Sequence, residues 1–348
     1  MRIFSYRNKR TLRRIALIAL LAAVLLGLLI LARISYLGRY VVYSPDGVYF
    51  DKTQKLQRTP QTVPDTSNAE EYPFETILSA ASEETDIDPN AVQLQGFYIS
   101  TTMLANGVDE VRQALADADG YNAVLIDVKS PLGNFYYSTD IADTQTADAD
   151  IDACDALIKE LTETPDLIVI ARVPTFSDPN FVAKHYSSAL TTKSGDLWMD
   201  ERRCYWLRPD SLDARSYLAA IALELDARGF DEVLFDNFTV PADSSIAWDA
   251  EAITQVAALE DCAETLGANL TGSSIRLALG TTVPSVAQYA SRVYITTEKA
   301  NDVMTMTEAM GEVLPDPATQ LVFVTTSHDT RFDAAGVIRP LMGDDSGD

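Results

Sequence analysis

Short, wholly apolar runs alternate along this chain with stretches whose apolar residues recur every three or four positions. The runs of Val, Ile, Leu and Phe predict strands buried on both faces, as in parallel sheets. The wider spacing predicts amphipathic helices. The expected strands are LQGFYIST (94–101), AVLIDV (123–128), LIVIARV (167–173), CYWLR (204–208), EVLFDNF (232–238), IRLALGT (275–281), VYITT (293–297) and LVFVTTS (321–327). Helical spacing covers 108–118, 151–161, 212–228, 250–266, 283–289 and 301–313, with a shorter piece at 178–186. Strands and helices alternating over roughly 250 residues predict a (β/α)8 TIM barrel, here at 91–340. A doubly wound open sheet is the alternative; it usually carries fewer strands and a Gly-rich first turn, which residues 100–106 lack.

Residues 15–32 are a different kind of pattern, an uncharged apolar run. Arg2, Arg7, Lys9, Arg10, Arg13 and Arg14 precede it, and Arg33 and Arg39 follow. As a helix the run spans about 27 Å, close to the ~30 Å hydrocarbon core of a bilayer. The basic flank, with no acid before Asp46, orients the N-terminus to the cytoplasm. The expected layout is a cytoplasmic basic segment (1–14), a transmembrane signal anchor (15–34), an extracytoplasmic linker (35–90), the barrel and an acidic tail (341–348). That makes the chain a single-pass cell-membrane protein with its barrel outside. A cleaved signal peptide is the alternative, but its apolar region would be shorter and no small-x-small site precedes Arg33. The linker assignment rests on Pro45, Pro60, Pro64 and Pro73 among Thr, Gln, Ser and Glu, with room for a short helix at 74–82.

Charge narrows the partners. Eight of the 27 Lys and Arg lie at or before Arg39, leaving 19 against all 51 Asp and Glu, a net −32 for the remainder. Such a field repels nucleic acid and anionic lipid surfaces, so neither is expected as a partner of the barrel. Cys154, Cys204 and Cys262 contain no CxxC pair and read as buried thiols rather than a disulfide framework. His185 and His328 are the only histidines, which argues against a multi-histidine zinc site. No metal and no cofactor are expected.

Two of the apolar runs stop on an acid: VLIDVKS on Asp127, and GFDEVLFDNFTVP on Asp236. A charge at the last position of a buried strand leaves the dry interior for the space above the sheet, where ligands bind in α/β folds. Alternation sets Leu125, Asp127 and Lys129 on one face, and Leu234, Asp236 and Phe238 on another. Arg172 would stand on the strand beside Asp127, able to hold a carboxylate ionised or grip a hydroxyl.

QGFYIS, NAVLIDVKSPLGNFYY, IVIARVPTFSDPNFVAKH, SGDLWMD and YWLRPDSLDARSYLAAIALELDARGFDEVLFDNFTVP occur in this order over residues 96–241. Together they resemble a glycosyl-hydrolase barrel family long carried as a domain of unknown function, related to α-amylase and α-galactosidase barrels. The resemblance implies carbohydrate chemistry. Where relatives read W-x-D-P-Y, however, this chain has Trp206-Leu207-Arg208-Pro209-Asp210, so an acid has become Arg208. Where they read F-D-Y-x-R-F-P it has Phe235-Asp236-Asn237-Phe238-Thr239-Val240-Pro241, so an arginine is gone. The strand ending Gly280-Thr281-Thr282 also lacks an acid.

Glycoside hydrolysis needs two carboxyl groups, one to protonate the leaving oxygen and one as nucleophile or base. The expected catalytic pair is Asp127 and Asp236, with Lys129, Arg172, Trp198, Arg208, Asn237 and Glu298 as substrate-binding residues. Asp127, Arg172, Arg208, Asp236, Thr281, Glu298 and His328 should all lie at one end of the barrel. Each has a plainer reading. Asp127 with Lys129 or Arg172 is also a structural ion pair, Asp236 a loop or cap residue, Glu298 an acid at a helix start, Asp210-Ser211 a helix cap, and the Trp198, Tyr205 and Trp206 cluster core packing. His328-Asp329 has no G-x-S-x-G serine to serve. Two functions follow: a membrane-anchored glycoside hydrolase on cell-envelope or extracellular glycan, or a catalytically decayed barrel that binds glycan or a protein partner at the surface.

Overall fold

A computed structural model describes residues 92–342 and the backbone of two short strands, Val41–Ser44 and Gly47–Phe50. Those two pair antiparallel as a hairpin within the stretch expected to be linker. The expected anchor at 15–34, the possible helix at 74–82 and the acidic tail from 343 lie outside the described residues. Among the described residues no helix is long and apolar enough to cross a membrane.

Eight parallel strands close a barrel in sequence order: β1 (Gln95–Ile99), β2 (Ala123–Asp127), β3 (Ile168–Pro174), β4 (Glu232–Asp236), β5 (Arg276–Leu279), β6 (Arg292–Thr296), β7 (Leu321–Val324) and β8 (Gly336–Pro340). Alternation sorts their side chains into two layers. Leu125, Ile170, Leu234, Ala278, Tyr294, Val322 and Ile338 form the inner core. Val124, Ile126, Val169, Ala171, Val233 and Phe235 face outward into the larger core beneath the helices. There they meet Val111 of α1 (Val108–Asp117), Leu157 and Ile158 of α2 (Ile151–Thr162), Leu218 and Ile221 of α3 (Leu212–Ala227), and Leu259 and Leu266 of α4 (Gln255–Asn269). Each of the last three helices begins where a side chain accepts from a free N–H of its first turn: Asp150 from Ala153, Ser211 from Ala214, Thr254 from Ala257. The helix cap is therefore Ser211 rather than Asp210.

Two expected elements change. CYWLR (204–208) is not a barrel strand; its residues make only isolated antiparallel bridges, Met199 to Tyr205, Ser177 to Trp206 and Ala189 to Leu207. It belongs to the long connection between β3 and α3, which doubles back on itself. The eighth strand is instead GVIRP, pairing parallel with β7 and β1. Its Gly, Arg and Pro obscured the apolar pattern.

The closed end of the barrel carries a polar plug. Glu232, fully buried, accepts from Tyr294 Oη at 2.6 Å and Arg292 Nη1 at 2.8 Å, with Arg276 Nε at 3.8 Å. Arg292 completes its bonding on the carbonyls of Thr319 and Val92, both at 3.1 Å. Glu232, Arg276 and Arg292 each open a strand, so this cluster holds the N-terminal end and leaves the other end for a site.

Candidate active site

Three neighbouring strands build the mouth. β2 closes on Asp127 and β4 on Asp236, while Arg172 lies near the end of β3. In the register Asp127 faces Arg172, and Pro174 faces Asp236. The three side chains share the inward face of Leu125, Ile170 and Leu234 and so rise above the inner core.

Arg172 clasps Asp127 with two nitrogens, Nε to Oδ1 and Nη2 to Oδ2, the second at 2.8 Å. This fork-on-carboxylate geometry fixes both partners. The guanidinium also lies 5.4 Å from the centre of the Tyr98 ring. Burial works against its charge, but Asp127, helped by Asp236, holds it above its ordinary value.

Asp236 is held differently. Its Oδ1 accepts the Asn237 N–H at 2.9 Å, and its carbonyl accepts the Thr175 hydroxyl at 2.7 Å. Burial pushes its carboxyl above the ordinary range, Arg172 and the Asn237 N–H pull it down, and the negative charge of Asp127 adds to the rise. Asn237 sits in the left-handed region, φ 53°, a conformation Asn tolerates better than most residues. That turn aims its N–H back at Asp236 and leaves its side chain exposed. Space for Asp236 depends on Gly280, where a Cβ would stand 2.6 Å from Oδ1 and 2.9 Å from the Asn237 nitrogen.

Two clefts open at this mouth. The larger, about 450 Å³, is lined by Asp236, Asn237, Thr239, Thr281, Thr282 and Arg202, among others. The smaller, about 220 Å³, is lined by Tyr98, Asp127, Arg172, Glu298 and Thr325, among others, and Thr296 belongs to both. Glu298 accepts the Thr326 N–H at 3.0 Å and the hydroxyls of Thr326 and Thr325 at 2.7 and 3.1 Å. Desolvation raises its carboxyl, but these bonds together bring it below its ordinary value.

The expected site therefore assembles in part. Asp127, Arg172, Asp236, Asn237, Thr281 and Glu298 line the two clefts. Lys129 does not join them. β2 ends at Asp127, strand alternation stops there, and Lys129 turns into the interior, 2.9 Å from Asp178 with neither side chain exposed. Its Nζ also lies 3.3 Å from the carbonyls of Pro174 and Ser177. Trp198 is buried, its ring edge-on to Trp206 at 6.0 Å and its Nε1 donating to Asp243 at 2.9 Å, so it offers no face to a sugar. Arg208 follows no barrel strand; it is paired with Asp210 and lies 5.1 Å from the Trp248 ring centre. His328 is exposed beyond β7 and lines neither cleft.

The sequence pattern missed Tyr98, Arg202, Thr239, Thr296 and the Thr325-Thr326 pair. Clusters of hydroxyl residues at the ends of apolar strands, as in ITT and VTTS, are the available signal for Thr296 and the Thr325-Thr326 pair; nothing local marks Thr239 or Arg202. Chemically the mouth offers one desolvated carboxyl, one clasped acid–arginine pair and a fringe of hydroxyls. Among the described residues no group of three or more His, Cys, Asp or Glu is placed to hold a metal ion.

A family described as a putative glycosyl hydrolase domain matches residues 96–311. The chain belongs to that family. No curated protein matches it. Among solved structures it is similar to an α-galactosidase from Thermus thermophilus, in complex with p-nitrophenyl α-D-galactopyranoside, at TM-score 0.51 and 13% identity, covering 71% of this chain and 58% of that enzyme. A hypothetical protein from Ruminiclostridium thermocellum aligns at TM-score 0.45 and 23% identity, over 52% of this chain and 96% of its own. An Aspergillus fumigatus protein solved with galactosamine aligns at TM-score 0.46 and 13% identity, over 72% and 92%. The α-galactosidase likeness is one of fold. The chain is thus a glycoside hydrolase-like barrel whose strand ends carry Asp127, Arg172 and Asp236.

Proposed function

We propose that this chain is a glycoside hydrolase acting on a cell-envelope or extracellular glycan. Asp236 is its nucleophile or base, and Asp127 the second carboxyl. The observation that carries the reading is the seat of Asp236, a half-buried carboxyl with an elevated proton affinity opening into a hydroxyl-lined cleft at the C-terminal end of a barrel of this family. Once an incoming sugar oxygen takes over one guanidinium donor of Arg172, Asp127 takes a proton from solvent and gives it to the leaving oxygen, and water attacking the sugar carbon, directly or after Asp236, replaces the broken bond. Arg172 then neutralises the carboxylate that Asp127 becomes on giving up its proton. Residues 15–32 anchor the chain in the membrane, with the barrel outside.

The test is to incubate the full chain with a glycan panel and follow new reducing ends. Asp236→Asn is expected to lower the rate at least ~10²-fold. A loss below about tenfold removes Asp236 from the chemistry.

One observation favours a binding-only barrel: the oxygens of Asp127 and Glu298 are both occupied by protein donors, which leaves Asp236 as the acid with an open oxygen at the mouth. Glycan binding without release of reducing ends would select that second reading.

A further inference from the structure

We infer that the larger cleft takes an anionic saccharide, and that Arg202 reads its negative group. This rests on the reading of that cleft as a sugar site. Arg202 lines the cleft together with Asp236 and Thr281. Among the described residues its guanidinium makes no hydrogen bond and no ion pair. Apart from the adjacent Arg203, every other described arginine is so engaged: Arg112, Arg172, Arg208, Arg228, Arg276, Arg292, Arg331 and Arg339 with acids, and Arg215 with the Pro209 carbonyl. In a chain of net charge −24, an unpaired arginine at a cleft is an uncommon use of a scarce cation.

The turn that carries Arg202 is rigidly made. The Asp200 N–H donates to the Cys204 carbonyl at 3.1 Å across it, the Arg203 N–H bonds to the Asp200 carbonyl at 3.0 Å, and Met199 bridges to Tyr205. Asp200, two residues before it, is consumed by the turn itself: it accepts the Cys204 N–H at 2.8 Å and the Trp206 indole N–H at 3.0 Å. Arg203 takes the left-handed position, φ 63°, which a β-turn needs and a bulky residue adopts at a cost. The turn thus holds the Arg202 backbone in place while leaving its side chain for a ligand. The overall negative field screens out within about 8 Å at physiological salt, so a local guanidinium can still hold a carboxylate, sulfate or phosphate on a sugar.

The experiment is calorimetric binding by the full chain to matched oligosaccharides: neutral, uronic-acid, sulfated and phosphorylated forms of one backbone, at low and at raised salt. At least one anionic form should bind at least about tenfold tighter than its neutral match, and raised salt should reduce that difference. Arg202→Gln should erase the preference. Arg203→Asn, which suits the same backbone angle, should leave it within about twofold. The glutamine change alters an exposed side chain with no internal bond, so folding is not at stake. Equal affinity for neutral and anionic forms, or a preference that survives Arg202→Gln, overturns the inference while leaving hydrolysis of neutral glycans intact. Anionic binding without cleavage upholds the inference and overturns the hydrolase reading; no binding by any member counts against both.

Discussion

Arg172 stands between two acids and treats them unequally: it clasps the Asp127 carboxylate with two nitrogens, yet acts on Asp236 through charge alone. Its positive charge lowers the proton affinity of Asp236, and the negative charge of Asp127 raises it. Burial raises the Asp236 carboxyl most, and this guanidinium tempers the rise.

Opposite substitutions should move Asp236 in opposite directions. Arg172→Met removes the cation and leaves Asp127 unneutralised, so the Asp236 midpoint rises. Asp127→Asn removes the neighbouring anion and frees Arg172, so the midpoint falls. If deprotonated Asp236 is required for turnover, the acidic limb of kcat/KM shifts to higher pH in the first variant and lower pH in the second. Arg172→Met should also cost about 10² in rate at the optimum, the usual scale for losing a preorganised charge donor. Carboxyl carbon NMR titration reads the midpoints directly, and movement of both in the same direction would refute this electrostatic account.

Lys129 and Asp178 form a fully buried pair, and Asp178 also accepts the Tyr217 hydroxyl at 2.8 Å and the Phe181 N–H at 2.8 Å. Removing only the cation strands a buried carboxylate. Lys129→Met is expected to cost about 3–5 kcal/mol in unfolding free energy, and adding Asp178→Asn should recover part of it. The Asp236 midpoint should stay where it is. Denaturant unfolding with the same NMR titration checks both. A moved midpoint with unchanged stability would return Lys129 to the mouth.

Much of the barrel was legible because seven of its strands are nearly continuous apolar runs, and Asp127 and Asp236 stood out as acids that end such runs. GVIRP escaped because it holds only two adjacent aliphatic residues between Gly336, Arg339 and Pro340, and its pairing with β7 and β1 makes it a strand. CYWLR misled for the converse reason. Its alternation is real, but its partners are loop residues such as Met199 and Ala189. Lys129 was placed by extending a period of two beyond the strand, where alternation no longer holds, and its partner Asp178 lies on a distant loop. Trp198 reads as a substrate-binding residue because neither the indole bond to Asp243 nor the contact with Trp206 leaves a local trace. Long-range side-chain pairing decides these positions, and periodicity does not encode it.

The apolar segment at 15–32 carries a prediction of topology. Full-length protein should partition with membranes, and protease added from outside should reach the barrel. The basic flank before residue 15 should remain protected. Recovery of a soluble form beginning near Ser35 would identify the segment as a cleaved signal peptide instead.

Two glycines separate the needs of the site from those of the scaffold. Gly280 follows β5 where any Cβ would press on the Asp236 carboxyl at 2.6 Å, on the Asn237 nitrogen at 2.9 Å and on the Asp236 Cα at 3.0 Å. Two of those three contacts are backbone, so relief requires moving the end of β4. Gly280→Ala is expected to destabilise by about 1–3 kcal/mol and to impair glycan binding or turnover more than tenfold, because the displaced group is Asp236 itself. Gly267 lies inside α4, and a Cβ there meets only Leu277 Cδ2 at 3.9 Å, an ordinary contact. Gly267→Ala should stabilise by roughly 0.5–1 kcal/mol through helix propensity and leave the cleft unchanged. Thermal unfolding and a binding isotherm on each variant suffice. If Gly280→Ala matched the parent in both, the close approach of β4 and β5 would not be what seats Asp236.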